Sequence, residues 1–178
     1  IGIDDSVAEK IAIESLSSPQ LMQYICLNIC TILEFDGNNV NSVSAELLER
    51  AYHFTTANFE YADVVALMKK GPNTRGKSRK YFKTIDGSSM NLYELIVKSI
   101  AENPPLMRQD FDTIRERINQ MIADDSEKPT QQSIKDSLVK LHDLLNERED
   151  IFKVMDWKDG VLYIVDPLFL FYLRWGGR

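Results

Sequence analysis

Histidine and cysteine are scarce in this chain, two of each in 178 residues. Cys26 and Cys30 lie four apart in one apolar run with no third or fourth ligand beside them. That spacing excludes a disulfide framework and a zinc site, and both thiols are expected as small buried hydrophobes. His53 and His142 each stand alone in a helical pattern, and nothing near either resembles a catalytic triad. No apolar run approaches the ~18 residues that cross a bilayer, and Ile1-Gly2-Ile3-Asp4-Asp5 lacks the basic flank and apolar stretch of a signal peptide. The expectation is a cytoplasmic protein with no membrane partner. Net charge is −6, which argues against bulk attraction to nucleic acid.

The charge is unevenly spread. Lys69, Lys70, Arg75, Lys77, Arg79, Lys80 and Lys83 fall within fifteen positions that hold no acid, so the rest of the chain carries −13. The same stretch contains Gly71-Pro72-Asn73-Thr74-Arg75-Gly76-Lys77-Ser78, a match to the phosphate-cradling pattern G-x-x-x-x-G-K-[ST]. In such a loop the glycines let backbone N–H groups close on phosphates, the lysine reaches the β/γ oxygens and the hydroxyl binds Mg²⁺. An apolar run ending in Asp166 supplies a possible acidic partner for the metal. A phosphate loop, however, must follow a buried strand and open a helix. Here Tyr61–Lys70 reads as a helix end, and Arg79–Ile85 is cut short by Asp86-Gly87. Residues 71–89 are therefore expected as a basic, glycine-hinged linker that can contact an anion, and a self-contained nucleotide hydrolase is the least favoured reading.

Helical periodicity dominates elsewhere. Val7, Ile11 and Leu16 mark a short helix, and Leu21, Met22, Ile25, Ile29, Ile32 and Leu33 mark a second one opened by Ser18-Pro19 and ending near Asp36-Gly37. A polar loop over 37–43 precedes Ser44 and a third helix with Leu47, Leu48, Ala51 and Phe54, and residues 1–70 are expected as one helical bundle. After the linker come helices at Asn91–Glu102, behind Asp110, and from Thr130. Two β-rich runs, 151–157 and 161–165, follow, joined by the turn residues Lys158-Asp159-Gly160. Pro167–Trp175 closes the chain, with Leu168, Phe169, Phe171, Tyr172 and Trp175 as anchors tying the hairpin to the three helices and Arg174 as a surface residue.

Three helices followed by a β-hairpin is the order of a winged helix-turn-helix, expected over 90–178. Gln131, Gln132 and Lys135 are the candidate contact residues of its third helix, the glutamines for adenine edges and the lysine for a phosphate. The hairpin brings Lys153 and Lys158 against Asp156 and Asp159, a near-neutral face that favours a protein partner over DNA.

Two segments carry a family resemblance. Ala12–Tyr24, with Ser18-Pro19 opening a helix, looks like the helical lid that follows the nucleotide-binding core of AAA+/STAND ATPases. Leu162–Trp175 is similar to the strand, Asp-Pro, aromatic-helix ending of the winged-helix domain in archaeal and bacterial STAND-type ATPases. The resemblance implies a non-catalytic lid and winged-helix module that needs no cofactor itself, partnered by an upstream ATPase domain that binds ATP and Mg²⁺. The alternative is a DNA-binding module using the 69–83 loop.

Overall fold

The computed structural model describes residues 3–35, 42–74, 76, 78–148 and 153–176. In chain order these form α1 (Asp5–Glu14), α2 (Pro19–Phe35), α3 (Ala45–Thr56), α4 (Ala62–Lys70), β1 (Tyr81–Lys83), β2 (Ser89–Asn91), α5 (Leu92–Ile100), β3 (Arg108–Asp110), α6 (Phe111–Met121), a 3₁₀ turn at Asp125–Glu127, α7 (Gln131–Asn146), β4 (Met155–Lys158), β5 (Val161–Ile164) and α8 (Pro167–Trp175). The protein is mainly helical with two small antiparallel sheets. Among the described residues no helix is long and apolar enough to cross a membrane. The helix stop expected at Asp36-Gly37, most of the 37–43 loop and the start of the 151–157 run fall outside the described residues.

The chain divides into two compact units, residues 1–60 with 167–178, and residues 61–166. This differs from the boundaries expected at 70 and 90. Helix α4 belongs with the second unit because Met68 and Val64 are buried there and Asn91 donates to the Lys69 carbonyl at 3.3 Å. Helix α8 belongs with the first unit, where Phe171, Leu168 and Trp175 pack with the core of the N-terminal bundle.

In the first unit, local chemistry sets where each helix begins. Asp4 accepts from the Val7 amide at 2.9 Å, Ser18 from Leu21 at 3.2 Å, and Ser44 from Leu47 at 3.2 Å, each satisfying an otherwise orphaned first-turn donor. Helix α1 stops before Leu16, which was expected inside it. Leu16 and Ser17 have φ of 53° and 60°, and this left-handed pair reverses the chain ahead of Pro19. The core runs from Val7 and Ile11 through Leu21, Ile25 and Ile29 to Leu47, Leu48 and Ala51, closed by Phe171 of α8. Each fully buried aliphatic side chain contributes about 1.5–3 kcal/mol. Met22, Phe54 and Cys30, expected inside, are exposed. The inward stripe of α2 is already filled by Ile25, Ile29 and Leu33, which leaves position 30 on the outer face.

In the second unit, Asn91 and Glu94 form a reciprocal capping box at the start of α5. Asp110 caps α6 through the Thr113 amide at 2.7 Å, and Thr130 caps α7 through Ser133 at 3.2 Å. Leu95, Ile96, Ile100, Ile114, Ile118, Ile134, Leu138 and Leu141 make the shared core of α5, α6 and α7, all fully buried. Against them lies an antiparallel sheet of order β3-β5-β4, with Gln109 opposite Leu162 and Trp157 opposite Leu162 on its other side. The β4–β5 turn is the expected one: Asp159 and Gly160 have φ of 53° and 76°, the primed geometry that matches strand twist. Strands β2 and β3 escape a sequence reading because each has three residues and no apolar alternation. Strand β3 forms because buried Gln109 donates to the Ile100 and Leu106 carbonyls while its backbone pairs with β5.

Candidate functional site

The Gly71–Ser78 loop leaves a helix and enters a strand. That is the reverse of the strand, loop, helix order that aims backbone amides at a phosphate chain. Gly71 ends α4 with φ 63° and ψ −177°, a region open essentially to glycine alone, and its amide bonds to the Leu67 and Met68 carbonyls. A Cβ at this position would stand 2.6 Å from the Tyr93 ring, so the glycine is required by close packing on α5. Asp166, the candidate metal partner, accepts a hydrogen bond from the Tyr61 hydroxyl. Burial, reinforced by that bond and the adjacent carboxylate, pushes the Tyr61 phenol well above its usual range.

The five described basic residues differ in their surroundings. Lys69 and Lys70 are exposed on the last turn of α4, where they complement the helix dipole, and Lys83 is exposed on β1. Arg75 and Lys77 lie outside the described residues. Arg79 and Lys80 fold back over α5 and β1. The Arg79 guanidinium sits 4.7 Å above the Tyr93 ring and donates to the Pro72 carbonyl, while the Lys80 ammonium sits 4.8 Å above Phe82 and 3.4 Å from the Glu127 carbonyl.

These two cations wall a cavity of about 440 Å³, within the range of small-molecule sites. Its other walls are Thr74 and Ser78 of the loop, Leu92 and Tyr93 of α5, Lys128-Pro129-Thr130, and Ser133 and Ser137 of α7. No acid lines it among the described residues. Lys128 pairs with Asp125 at 2.6 Å just outside, holding the ammonium at the helix entrance. Thr130 caps α7 through Ser133, and the Gln131 and Gln132 amides of the same turn have no partner among the described residues. Ser137 is only 7% exposed.

The residues proposed to read DNA behave differently from one another. Gln131 is exposed at the start of α7, the Gln132 side chain donates to Asp136 at 2.7 Å, and the Lys135 ammonium lies 4.7 Å over the Phe111 ring. At the hairpin, His142 of α7 stands 3.2 Å from the Asp156 carboxylate and accepts from the Trp157 amide at 3.2 Å, a bond that ties α7 to β4. Lys153 reaches the same Asp156 carboxylate at 3.5 Å.

Arg174 was expected at the surface and is instead buried, forked onto Glu14 with Nε to Oε2 at 2.9 Å and Nη2 to Oε1 at 2.5 Å. Lys128, Thr130 and Ser137 line the cavity and were not singled out from the sequence. The usable signal was Lys128-Pro129-Thr130, a cation next to a helix cap, fifty residues after a basic loop.

Comparison of the chain with family models, with curated proteins and with solved structures finds no match.

Proposed function

We propose that this chain is a non-catalytic interaction module, a helical lid-like unit and a winged helix of a STAND-type ATPase whose ATP- and Mg²⁺-binding core lies upstream. The observation that carries this reading is the second unit's order, α5-β3-α6-α7-β4-β5, with β5 central in its sheet and the β4–β5 hairpin bonded to α7. In a winged helix the third helix and the hairpin make one contact face. That face is near neutral here, with the Lys153 ammonium 3.5 Å from the Asp156 carboxylate, which favours a protein surface as partner. The Gly71–Ser78 loop acts as a connector and anion contact, since its flanks are a helix and a strand.

A second reading, duplex DNA bound through the basic loop, is favoured by the convergence of Arg79, Lys80 and Lys128 at one end of α7. Titrating labelled duplex between about 50 and 200 mM salt separates the two. The interaction-module reading predicts weak binding that reversal of Lys77, Arg79 and Lys80 to Glu barely changes. Tight, steeply salt-dependent binding abolished by that reversal overturns it in favour of DNA.

A further inference from the structure

We infer that His142 is a pH-operated latch between α7 and the β4–β5 hairpin, holding the Trp157 amide when its ring is neutral and turning to Asp156 when the ring is protonated. One atom carries the argument. His142 Nδ1 lies 3.2 Å from the Trp157 amide nitrogen and 3.2 Å from the Asp156 carboxylate. The first neighbour is an N–H, which donates, and the second is a carboxylate, which accepts. A bare Nδ1 satisfies Trp157 and a protonated Nδ1 satisfies Asp156, so the two bonds exclude one another. Histidine is the side chain that ordinarily changes charge between about pH 5 and 8, which makes protonation the control. The ring and the carboxylate are 23% and 35% exposed, so a proton reaches them without unfolding.

The fold explains why Trp157 depends on this ring. Strand β4 lies at an edge of its sheet, and Val154 accepts from Val165 of the strand inside it. By the alternation of an antiparallel ladder, the Trp157 N–H three positions on points off the free edge. Release of that N–H therefore loosens the hairpin from α7 and leaves the ladder intact. Few other charges bear on the ring. One turn away on α7 stand Leu138, Val139, Leu145 and Asn146, none ionisable. The Asn146 amide is nearer Nε2, at 2.8 Å, than Nδ1, at 3.2 Å, and turns either its nitrogen or its oxygen to the ring. On the hairpin, Lys153 reaches the same Asp156 oxygen at 3.5 Å, Tyr163 of β5 is paired opposite Asp156, and Lys158 follows on the same face of β4. Helices α5 and α6 also pack on α7, where Lys98 pairs with Asp86 and Arg115 with Asp112. Among the described residues, Asp156 alone pairs with the ring. The latch works within the second unit and holds whichever partner, protein or DNA, the α7 and hairpin face takes.

The test is ¹⁵N NMR of the full chain from about pH 8 to 5.5, a range that keeps carboxylates charged while the ring titrates. At the upper end Nδ1 is expected bare and the Trp157 amide protected from exchange. As the ring protonates, the Trp157 signal shifts and its protection, corrected for the intrinsic pH dependence of exchange, falls about three- to tenfold, the worth of one hydrogen bond. Both changes share the midpoint of the His142 ring signals. His142→Asn keeps an acceptor where Nδ1 stood and takes up no proton, so its Trp157 amide is expected to stay constant across the range. Asp156→Asn removes the acceptor of the charged state and is expected to move the transition to lower pH. A Trp157 amide that stays constant while the His142 ring titrates overturns the inference, as does the same transition in His142→Asn. Should His142→Asn not fold, a transition that Asp156→Asn leaves in place overturns it equally.

Discussion

Glu14 and Arg174 stand 160 positions apart in the chain and form a buried two-bond fork in which the Glu14 carboxylate also accepts the Trp175 indole N–H at 2.8 Å. Both side chains are about nine-tenths buried, at 10% and 7% exposure. The fork locks α8 onto α1, and the Trp175 carbonyl accepts from His53 of α3 at 2.6 Å, so one short segment fastens three helices. Removing one partner strands a buried charge. Arg174→Met or Glu14→Leu alone is expected to destabilise the first unit by about 3–5 kcal/mol, and the double substitution by clearly less than the sum. Urea unfolding followed by tryptophan fluorescence, run as a double-mutant cycle, measures the coupling.

Tyr52 lies against the same fork, its ring edge-on to Phe171 at 5.6 Å and tilted against Trp175 at 4.6 Å. Its buried hydroxyl has no hydrogen-bond partner among the described residues, and burial followed by the Glu14 charge holds the phenol well above its usual pKa. Tyr52→Phe keeps both ring contacts and discards the orphaned group. It is expected to leave stability unchanged or raise it by about 1 kcal/mol, read as a shift in the urea midpoint at constant slope.

Asp86 organises the β1–β2 turn. It accepts from the Thr84 hydroxyl at 2.5 Å, the Lys98 ammonium at 2.9 Å, and the Ser88 hydroxyl and amide at 2.7 and 3.0 Å. Those donors, Thr84 foremost, hold its carboxyl far below the usual carboxylate range. The folded chain therefore binds this proton more weakly than the unfolded chain. The stability it contributes is complete above the unfolded-state value of about 4 and is lost as pH falls further toward the folded value. Asp86→Asn is expected to lower the unfolding midpoint at pH 7, with the gap to the parent protein narrowing steadily as pH falls from about 4 toward 2, in midpoints measured across that range.

Gly71 and Gly76 belong to the same motif match but face different constraints. Gly71→Ala meets the Tyr93 ring in a backbone region closed to alanine and is expected to cost about 2–4 kcal/mol. Gly76, with φ 88° and nothing within 4 Å of an added Cβ, has only the conformational penalty, and Gly76→Ala is expected to cost about 1–2 kcal/mol. Thermal unfolding of the two variants compares them directly. A phosphate loop would reverse this emphasis, making both substitutions matter for ligand binding before stability.

The helices were legible because their signals are local. Ser18-Pro19, Ser44, Asp110 and Thr130 announce helix starts, and the Ile25-Ile29-Leu33 and Ile134-Leu138-Leu141 stripes reveal their buried faces. The Asp159-Gly160 turn was legible for the same reason. What escaped depends on partners distant in sequence. Strand β3 is three polar residues that become a strand only beside β5, and Arg174 reads as a surface cation until Glu14 is brought to it. The basic stretch was visible as charge, but its division was not. Arg79 is half-buried over Tyr93, while Lys80 lies over Phe82 and stays exposed, as do Lys69, Lys70 and Lys83. Ser137 gave no sequence signal, since a serine on a helix is ordinary until a cavity is found beside it.

The most direct test of the central claim is Mg²⁺-dependent ATP hydrolysis by the chain and by its Lys77→Ala variant. A non-catalytic module predicts phosphate release at the background rate and no difference between the two proteins. Turnover above background that disappears in Lys77→Ala would contradict it and return Gly71–Ser78 to the role its letters first suggest.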